Sequence, residues 1–209
     1  MARGPDREAA LAQYRRRAGV YDVELALFEP VRRQAVAKLG LRPGQTVIDV
    51  GCGTGLSLPL LVAAVGRRGH VIGIEQSPEM LARARARVKA AGWRQVELVE
   101  APVESARIPR RADAALFHFT HDILQRPDAV ANVMAALEPG ATVVASGLKW
   151  APPWALAVNL MVLPAALRSV TSLAGLAAPW QWLQPWLADF DVRPALLGGA
   201  YVASGRKRQ

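Results

Sequence analysis

Cysteine is nearly absent. Cys52 is the only one in 209 residues, which excludes an internal disulfide framework and fits a reducing compartment. Histidine is almost as scarce, at 70, 118 and 121, and no His/Cys cluster has metal-ligand spacing, so no metal is expected. Lysine occurs only at 38, 89, 149 and 207, leaving arginine to supply most of the positive side of a +9 formal charge. That charge suits nucleic acid or an anionic membrane surface; arginine- and alanine-rich usage of this kind is equally what a GC-rich coding sequence yields. There is no Walker loop and no G-x-S-x-G nucleophile elbow. No stretch offers the roughly 20 suitable apolar residues of a membrane span, and no period of roughly 20–50 residues repeats. No apolar segment follows Met1-Ala2-Arg3-Gly4, so no signal peptide is expected. The expected location is the cytoplasm, with the inner face of the membrane as the peripheral alternative. What remains is a chain with 52% hydrophobic content, enough for one substantial core, read as a single domain over residues 1–209.

The chain is organised around residues 47–55, Val47-Ile48-Asp49-Val50-Gly51-Cys52-Gly53-Thr54-Gly55. A β-branched run ends in an aspartate and breaks into three glycines at alternate positions, and Leu56 to Val65 then reads as an amphipathic helix. Strand, glycine loop and helix together bring backbone N–H groups and a helix N-terminus against a ligand. A Cβ at the glycines would hold that ligand away from the backbone. The spacing is G-x-G-x-G, not the G-x-G-x-x-G of dinucleotide sites, since Leu56 stands where the third glycine would fall. About twenty residues on, the next strand ends in Glu75, where an acidic side chain can accept both ribose hydroxyls. Together VIDVGCGTG and GIEQSPEML resemble the class I S-adenosylmethionine-dependent methyltransferases.

That resemblance implies S-adenosylmethionine as cofactor and S-adenosylhomocysteine as product. It implies Asp49, Gly51, Cys52, Gly53, Thr54 and Gly55 around the methionyl portion and Glu75 on the ribose. Gln76, Met80, Pro102, Val103, His118 and Phe119 complete the expected cofactor set. In the family an aspartate after the third strand commonly takes the adenine amine; that slot holds Pro102 here, leaving Glu100, Glu104 or a backbone carbonyl as substitutes. The pattern Tyr14…Ala18…Tyr21-Asp22 resembles the N-terminal lid of quinone C-methyltransferases and bacterial phospholipid N-methyltransferases. Residues 1–40 are therefore expected to form a helical lid with Tyr14 and Tyr21 over the methionine end. Alternatively both rings staple an N-terminal helix, residues 6–17, onto the domain. Residues 22–39 read as a further helix, interrupted or kinked at Pro30.

From Thr46 strands and helices alternate, the pattern of a parallel sheet covered on both faces. Strands are expected near 46–50, 70–75, 95–100, 113–119 and 141–147, and helices near 56–65, 78–91 and 127–137. Two last strands, 190–197 and 199–204, give a doubly wound, mostly parallel seven-stranded Rossmann-like α/β sheet with an antiparallel finish. Arg83, Arg85, Arg87 and Lys89 cannot all share one helix face, and most of them are read as solvated charges, not a binding stripe. The tail from Arg206 is expected to fray.

His118, Phe119, Thr120, His121 and Asp122 follow the fourth strand and should face the ligand. His118, His121 and Asp122 are the candidate catalytic residues. The structural alternatives are a His118 ring hydrogen-bonded within the sheet and an N-cap turn at His121-Asp122. The Asn/Asp-Pro-Pro-aromatic motif of enzymes that methylate nucleobase amines is missing, which disfavours a nucleic-acid acceptor. After the fifth strand the only charge between Lys149 and Asp189 is Arg168, while Trp150, Trp154, Trp180, Trp182 and Trp186 are interleaved with five prolines. Residues 150–188 are read as a helical cap, with helices near 153–168 and 179–188 and a short one between. At least one or two of its indoles are expected to stay exposed, because few polar side chains are at hand for their N–H groups.

The resulting expectation is methyl transfer to an apolar or amphipathic small molecule, such as a lipid headgroup amine or a quinone-like ring, with peripheral contact to an anionic membrane. The alternatives are an O-, N- or S-methyltransferase for a soluble hydrophobic metabolite, a nucleic-acid enzyme, and a non-catalytic cofactor-binding module. Oligomeric state is left open.

Overall fold

The computed structural model describes residues 25–209. Tyr14, Tyr21, the 6–17 helix and most of the expected lid lie outside the described residues. A single 3-10 turn, Leu25–Phe28, leads into α1 (Glu29–Lys38). Pro30 sits in the first turn of α1; it opens the helix instead of kinking it, because the N–H it lacks would be unpaired there anyway. The order that follows is β1 (Thr46–Val50), α2 (Leu58–Val65), β2 (His70–Glu75), α3 (Pro78–Ala91) and β3 (Val96–Glu100). Next come β4 (Ala112–His118), α4 (His121–Leu124), α5 (Pro127–Ala135), β5 (Leu137–Leu148), α6 (Leu156–Ser169), β6 (Leu187–Ala195) and β7 (Ala200–Lys207).

The seven strands form one sheet in the order β3-β2-β1-β4-β5-β7-β6. β1 to β5 are mutually parallel, whereas β7 runs antiparallel to both β5 and β6. Strand order reverses between β1 and β4, and that switch point is where open α/β sheets bind ligands, beyond the carboxyl ends. The alternation within each strand sorts the side chains between two cores. Ile48, Val50, Ala115 and Phe117 face α5 with Val130 and Met134; Val47, Ala114, Leu116 and Val144 face α1 and α2 with Ala35, Leu58 and Leu61. The same period of two places Asp49, His118 and Ser146 on the α1 side at the ligand-facing end.

α3 shows local sequence deciding its own limits. Ser77 Oγ accepts from Met80 N at 3.3 Å, Pro78 occupies the first turn, and Gly92 closes the helix at φ 66°. The cap contributes about 1 kcal/mol, and the left-handed closing residue suits glycine.

Two further expectations are corrected. The cap holds one helix, α6; residues 170–183 run as turns, and only a 3-10 turn, Gln184–Trp186, precedes β6. Gly175, Pro179 and Pro185 break the helical pattern, and side chains hold the segment in place of a helical ladder. The tail does not fray, because β7 continues to Lys207. Arg206 Nη1 donates to Gly140 O at 3.3 Å, Lys207 Nζ to Leu137 O at 2.7 Å and Arg208 Nε to Leu187 O at 3.0 Å. On α3, Arg87 is not simply solvated, for its Nε donates to Thr54 O at 3.2 Å and braces the glycine loop.

Candidate active site at the β1–β4 switch point

Gly51, Gly53 and Gly55 all have positive φ, at 66°, 56° and 81°. The reason for glycine is partly different from the one expected. A Cβ on Gly51 would stand 2.8 Å from Ile123 Cδ1 and from Thr120 Cγ2, and one on Gly55 would stand 2.7 Å from Leu58 Cδ1. At these two positions protein packing and the left-handed backbone exclude a side chain. The loop is pinned from β2: Cys52 N donates to Ile74 O at 2.9 Å, and Gly53 N donates to Glu75 Oε2 at 3.0 Å. Glu75 Oε1 accepts from Ser77 N at 2.8 Å. The carboxyl is thus fixed at the end of β2 with lone pairs to spare. Burial raises its pKa, and the backbone N–H groups of Ser77, Gly53 and Gln76 oppose that rise.

On the α1 side lies a group of buried polar atoms. Arg32 is 3% exposed and Asp49 2%. Arg32 Nη1 pairs with Glu29, yet its Nε and Nη2 have no hydrogen-bond partner, nor has Asp49 Oδ2. Burial pushes the Asp49 carboxyl up to about 7, against the pull of the nearby Arg32 charge. His118 Nδ1 is 2.7 Å from Ser146 Oγ, while its Nε2 is buried without a partner. Burial, with Arg32 adding to it, lowers the His118 pKa to about 3. The ring is therefore a neutral hydrogen-bonding group at ordinary pH, and the hydrogen bond within the sheet is observed. Sequence reasoning missed Arg32. Its signal was an arginine in register with Val31, Ala35 and Val36, the buried stripe of α1.

Phe119 follows β4 at φ 57°, an uncommon conformation for an aromatic residue and a mark of functional loops. Its ring lies 4.6 Å from that of Phe28 and 4.8 Å from that of His118. His121 opens α4, and its Nε2 is 2.9 Å from Ala174 O. A carbonyl only accepts, so the proton sits on Nε2 and Nδ1 carries the free lone pair; Nδ1 is buried and unpartnered. Desolvation lowers the His121 pKa. Asp122 is not the N-cap: Thr120 holds that position. The Asp122 carboxylate instead accepts from Thr171 N at 3.0 Å and Thr171 Oγ1 at 2.9 Å, tying the cap to α4. Phe119, His121, Gly147, Leu148, Val170, Leu176 and Tyr201 line a small, largely apolar pocket beside these residues.

Gln76 and Pro102 are half-buried, while Val103 and Met80 are buried. Val103 O accepts from Asn132 Nδ2 at 2.7 Å. Glu100 pairs with Arg85 at 3.0 Å and Glu104 with Arg126 at 2.9 Å; both candidate substitutes for an adenine-reading aspartate are engaged in ion pairs. Among the described residues no group of three His, Cys, Asp or Glu could hold a metal.

This strand order with this loop is the Rossmann-like architecture of methyltransferases. The fold overlays N-methyltransferase NodS of Bradyrhizobium japonicum, solved with S-adenosyl-L-homocysteine, with TM-score 0.64 and 16% identity over 87% of this chain and 88% of that one. Residues 47–140, just under half of the chain, match the family described as the methyltransferase domain, and that match together with the fold supports a class I S-adenosylmethionine-dependent methyltransferase. It is 35% identical to phosphatidylethanolamine N-methyltransferase of Cereibacter sphaeroides over 60% of this chain and 61% of that protein. It is 40% identical to demethylmenaquinone methyltransferase of Bacillus cytotoxicus over 32% of this chain and 29% of that one. The chain thus spans about three fifths or less of the curated relatives it matches.

The cofactor of this class is S-adenosylmethionine, and the orphaned atoms fit it. Its methionyl end is a zwitterion: Arg32 Nε and Nη2 offer two donors to a carboxylate, and Asp49 Oδ2 offers an acceptor to an ammonium. Buried polar atoms without partners call for a ligand of opposite character, and here both signs are present.

Proposed function

We propose that the protein transfers a methyl group from S-adenosylmethionine to an apolar or amphipathic acceptor that enters over the carboxyl ends of β4 and β5. The observation that carries this reading is the group of unpartnered buried atoms on Arg32 and Asp49 at that end of the sheet, beside a narrow apolar cleft of about 10 Å³ lined by Val170 and Leu176. When bound, the cofactor supplies an electrophilic methyl on a sulfonium. The chain's task is then positioning, since a displacement of this kind needs its two reactants aligned within about 3–3.5 Å. Arg32 and Asp49 hold the methionyl zwitterion, Glu75 orients the ribose, and the glycine loop fixes the approach. His118 stays neutral and donates or accepts one hydrogen bond. His121, with its proton on Nε2, keeps Nδ1 as the hydrogen-bond acceptor for the acceptor molecule's polar group. The aromatic pair Phe28–Phe119 excludes water.

A lipid headgroup amine or quinone-like ring suits this arrangement. Phosphatidylethanolamine and demethylmenaquinone, named in two relatives, are both membrane-borne. A soluble hydrophobic metabolite methylated on O, N or S is the second reading, favoured by the small size of the pocket. The test is a labelled-methyl assay on fractionated lipid and aqueous extracts of the source cell. Label in the lipid fraction supports the first reading, label confined to the aqueous fraction the second, and none in either removes both.

A further inference from the structure

α6 is apolar on two faces. Its inner face, Val162 and Ala166, packs on Leu148 and Leu176. Its outer face carries Leu156, Leu160, Leu163 and Leu167, whose spacing of four, three and four residues lines them along one stripe. Met161, 75% exposed, flanks that stripe, and Trp154, 83% exposed, precedes the helix. A helix on a water-facing surface ordinarily turns polar residues outward; this one offers solvent a run of leucines. The turn at Leu196–Gly198 lies against Ala151 and Pro152, at the entry to the same helix. It holds Leu196 and Leu197 at φ 46° and 56° with Leu197 88% exposed. Strained backbone of this kind persists where the surrounding structure maintains it.

We propose that the outer face of α6 docks on an anionic lipid bilayer, seated in the interfacial layer with its axis along the membrane plane. Two features select a bilayer over a protein partner. First, Leu156, Leu160, Met161, Leu163 and Leu167 present no side-chain hydrogen-bonding group. A protein interface averages about one hydrogen bond per 100–200 Å², whereas hydrocarbon requires none. Second, no acidic residue occurs between Glu138 and Asp189, and the two charges within that stretch are both positive: Arg168 in the last turn of α6 and Lys149, whose Nζ donates to Trp150 O. That distribution complements anionic headgroups. Trp154 fits the same layer, where indoles concentrate.

The inference rests on the reading of an amphipathic acceptor and gives it a route. Ser169, Val170 and Leu176, at and just beyond the end of α6, line the pocket at β4 and β5. A lipid-borne acceptor reaches the site without crossing water.

The test is co-sedimentation with vesicles of phosphatidylcholine mixed with phosphatidylglycerol, against phosphatidylcholine alone. The wild-type chain should partition onto the anionic vesicles, with the preference lost in high salt. The double variant Leu160→Gln/Met161→Gln keeps helix propensity and changes only exposed side chains. It should lower partitioning at least about tenfold, the scale of removing buried apolar area at an interface, with S-adenosylhomocysteine affinity and melting temperature unchanged. No vesicle binding by the wild type, or equal binding by the double variant, overturns the inference. So does a wild-type dimer in sedimentation velocity that the same variant splits, since the face then belongs to a second copy. If the wild type docks and the variant does not, yet no lipid fraction accepts methyl label, the docking surface stands and the lipid-acceptor reading alone falls.

Discussion

The glycine loop with its surroundings and the outer face of α6 border the same strand ends and are built on opposite terms. Around Gly51 to Glu75 the backbone N–H groups of Cys52, Gly53 and Ser77 are paired within the protein, and the atoms left over, on Arg32 and Asp49, carry charge of both signs. Along α6 the side-chain amide of Asn159 is paired with the backbone of Ala151, and what the outer face leaves over is hydrocarbon. The first region selects one small polar ligand by geometry. The second can select only a phase. A substitution in the first should therefore be costly and specific, and one in the second nearly silent in solution.

The largest effect is expected from Gly51→Val. Its Cβ meets Thr120 and Ile123 at 2.8 Å in a backbone of φ 66°, so overpacking and left-handed strain together should cost roughly 2–4 kcal/mol. Denaturant unfolding should show the loss, and calorimetry with S-adenosylhomocysteine should show no binding. Leu160→Gln, measured alongside, should shift unfolding by less than about 0.5 kcal/mol. Equal losses in the two variants would erase the contrast.

Arg32→Met comes next. Each hydrogen bond to a charged group contributes about 1.5–3 kcal/mol, so S-adenosylhomocysteine should bind at least about tenfold more weakly. Fold stability should hold or rise, because a buried guanidinium with two unpartnered nitrogens is removed. A variant that melts early yet binds normally would make Arg32 purely structural.

The pH dependence sharpens the comparison further. The Asp49 carboxyl titrates at about 7 in the fold, above its ordinary value of 3.8. Between those values the folded chain binds the extra proton, so this group's contribution to stability falls as pH rises from about 4 to about 7 and is level beyond. A ligand ammonium favours the ionised carboxyl. S-adenosylhomocysteine affinity should therefore climb with pH up to about 7, with proton release measurable by calorimetry in buffers of different ionisation enthalpy. Asp49→Asn should flatten that dependence. A smaller effect than that of Gly51→Val is expected from Asp122→Asn, which weakens the tie to Thr171. Half-buried as it is, the change should cost about 1 kcal/mol and speed proteolytic nicking between 169 and 178 more than it alters global unfolding.

How much of this was legible depended on how local the cause was. The Val47–Gly55 run, Ser77-Pro78 and Gly92 announce their own conformations, and β1, β2 and α3 have the limits expected of them. Side chains whose partners are distant in sequence were read wrongly or overlooked. Asp122 looked like a cap because aspartate before an apolar pair usually is one, but Thr171, 49 residues away, takes its carboxylate. Arg206, Lys207 and Arg208 looked like a loose tail because nothing near them in sequence shows the carbonyls of Gly140, Leu137 and Leu187. Arg32 was overlooked because only the assembled sheet brings α1 against Asp49 and His118. The exposed indoles were anticipated from the shortage of polar partners, and Trp154, Trp182 and Trp186 are exposed.

The place of β7 between β5 and β6 also sets a timetable. β6 precedes β7 in the chain and has no other neighbour in the sheet, so during synthesis it leaves the ribosome with both of its edges unpaired. β5, paired on one side with β4, keeps its other edge open along Val143 to Ser146 until β7 arrives. For that interval the nascent chain displays the two strand edges that β7 later fills, one on β5 and one on β6, and both are able to pair with another copy. One late strand closes both at once, so release of the last sheet residues and protection from aggregation become a single event. A chain stalled with β7 still inside the exit tunnel should be digested readily across 187–195, and the same segment should resist once β7 has emerged.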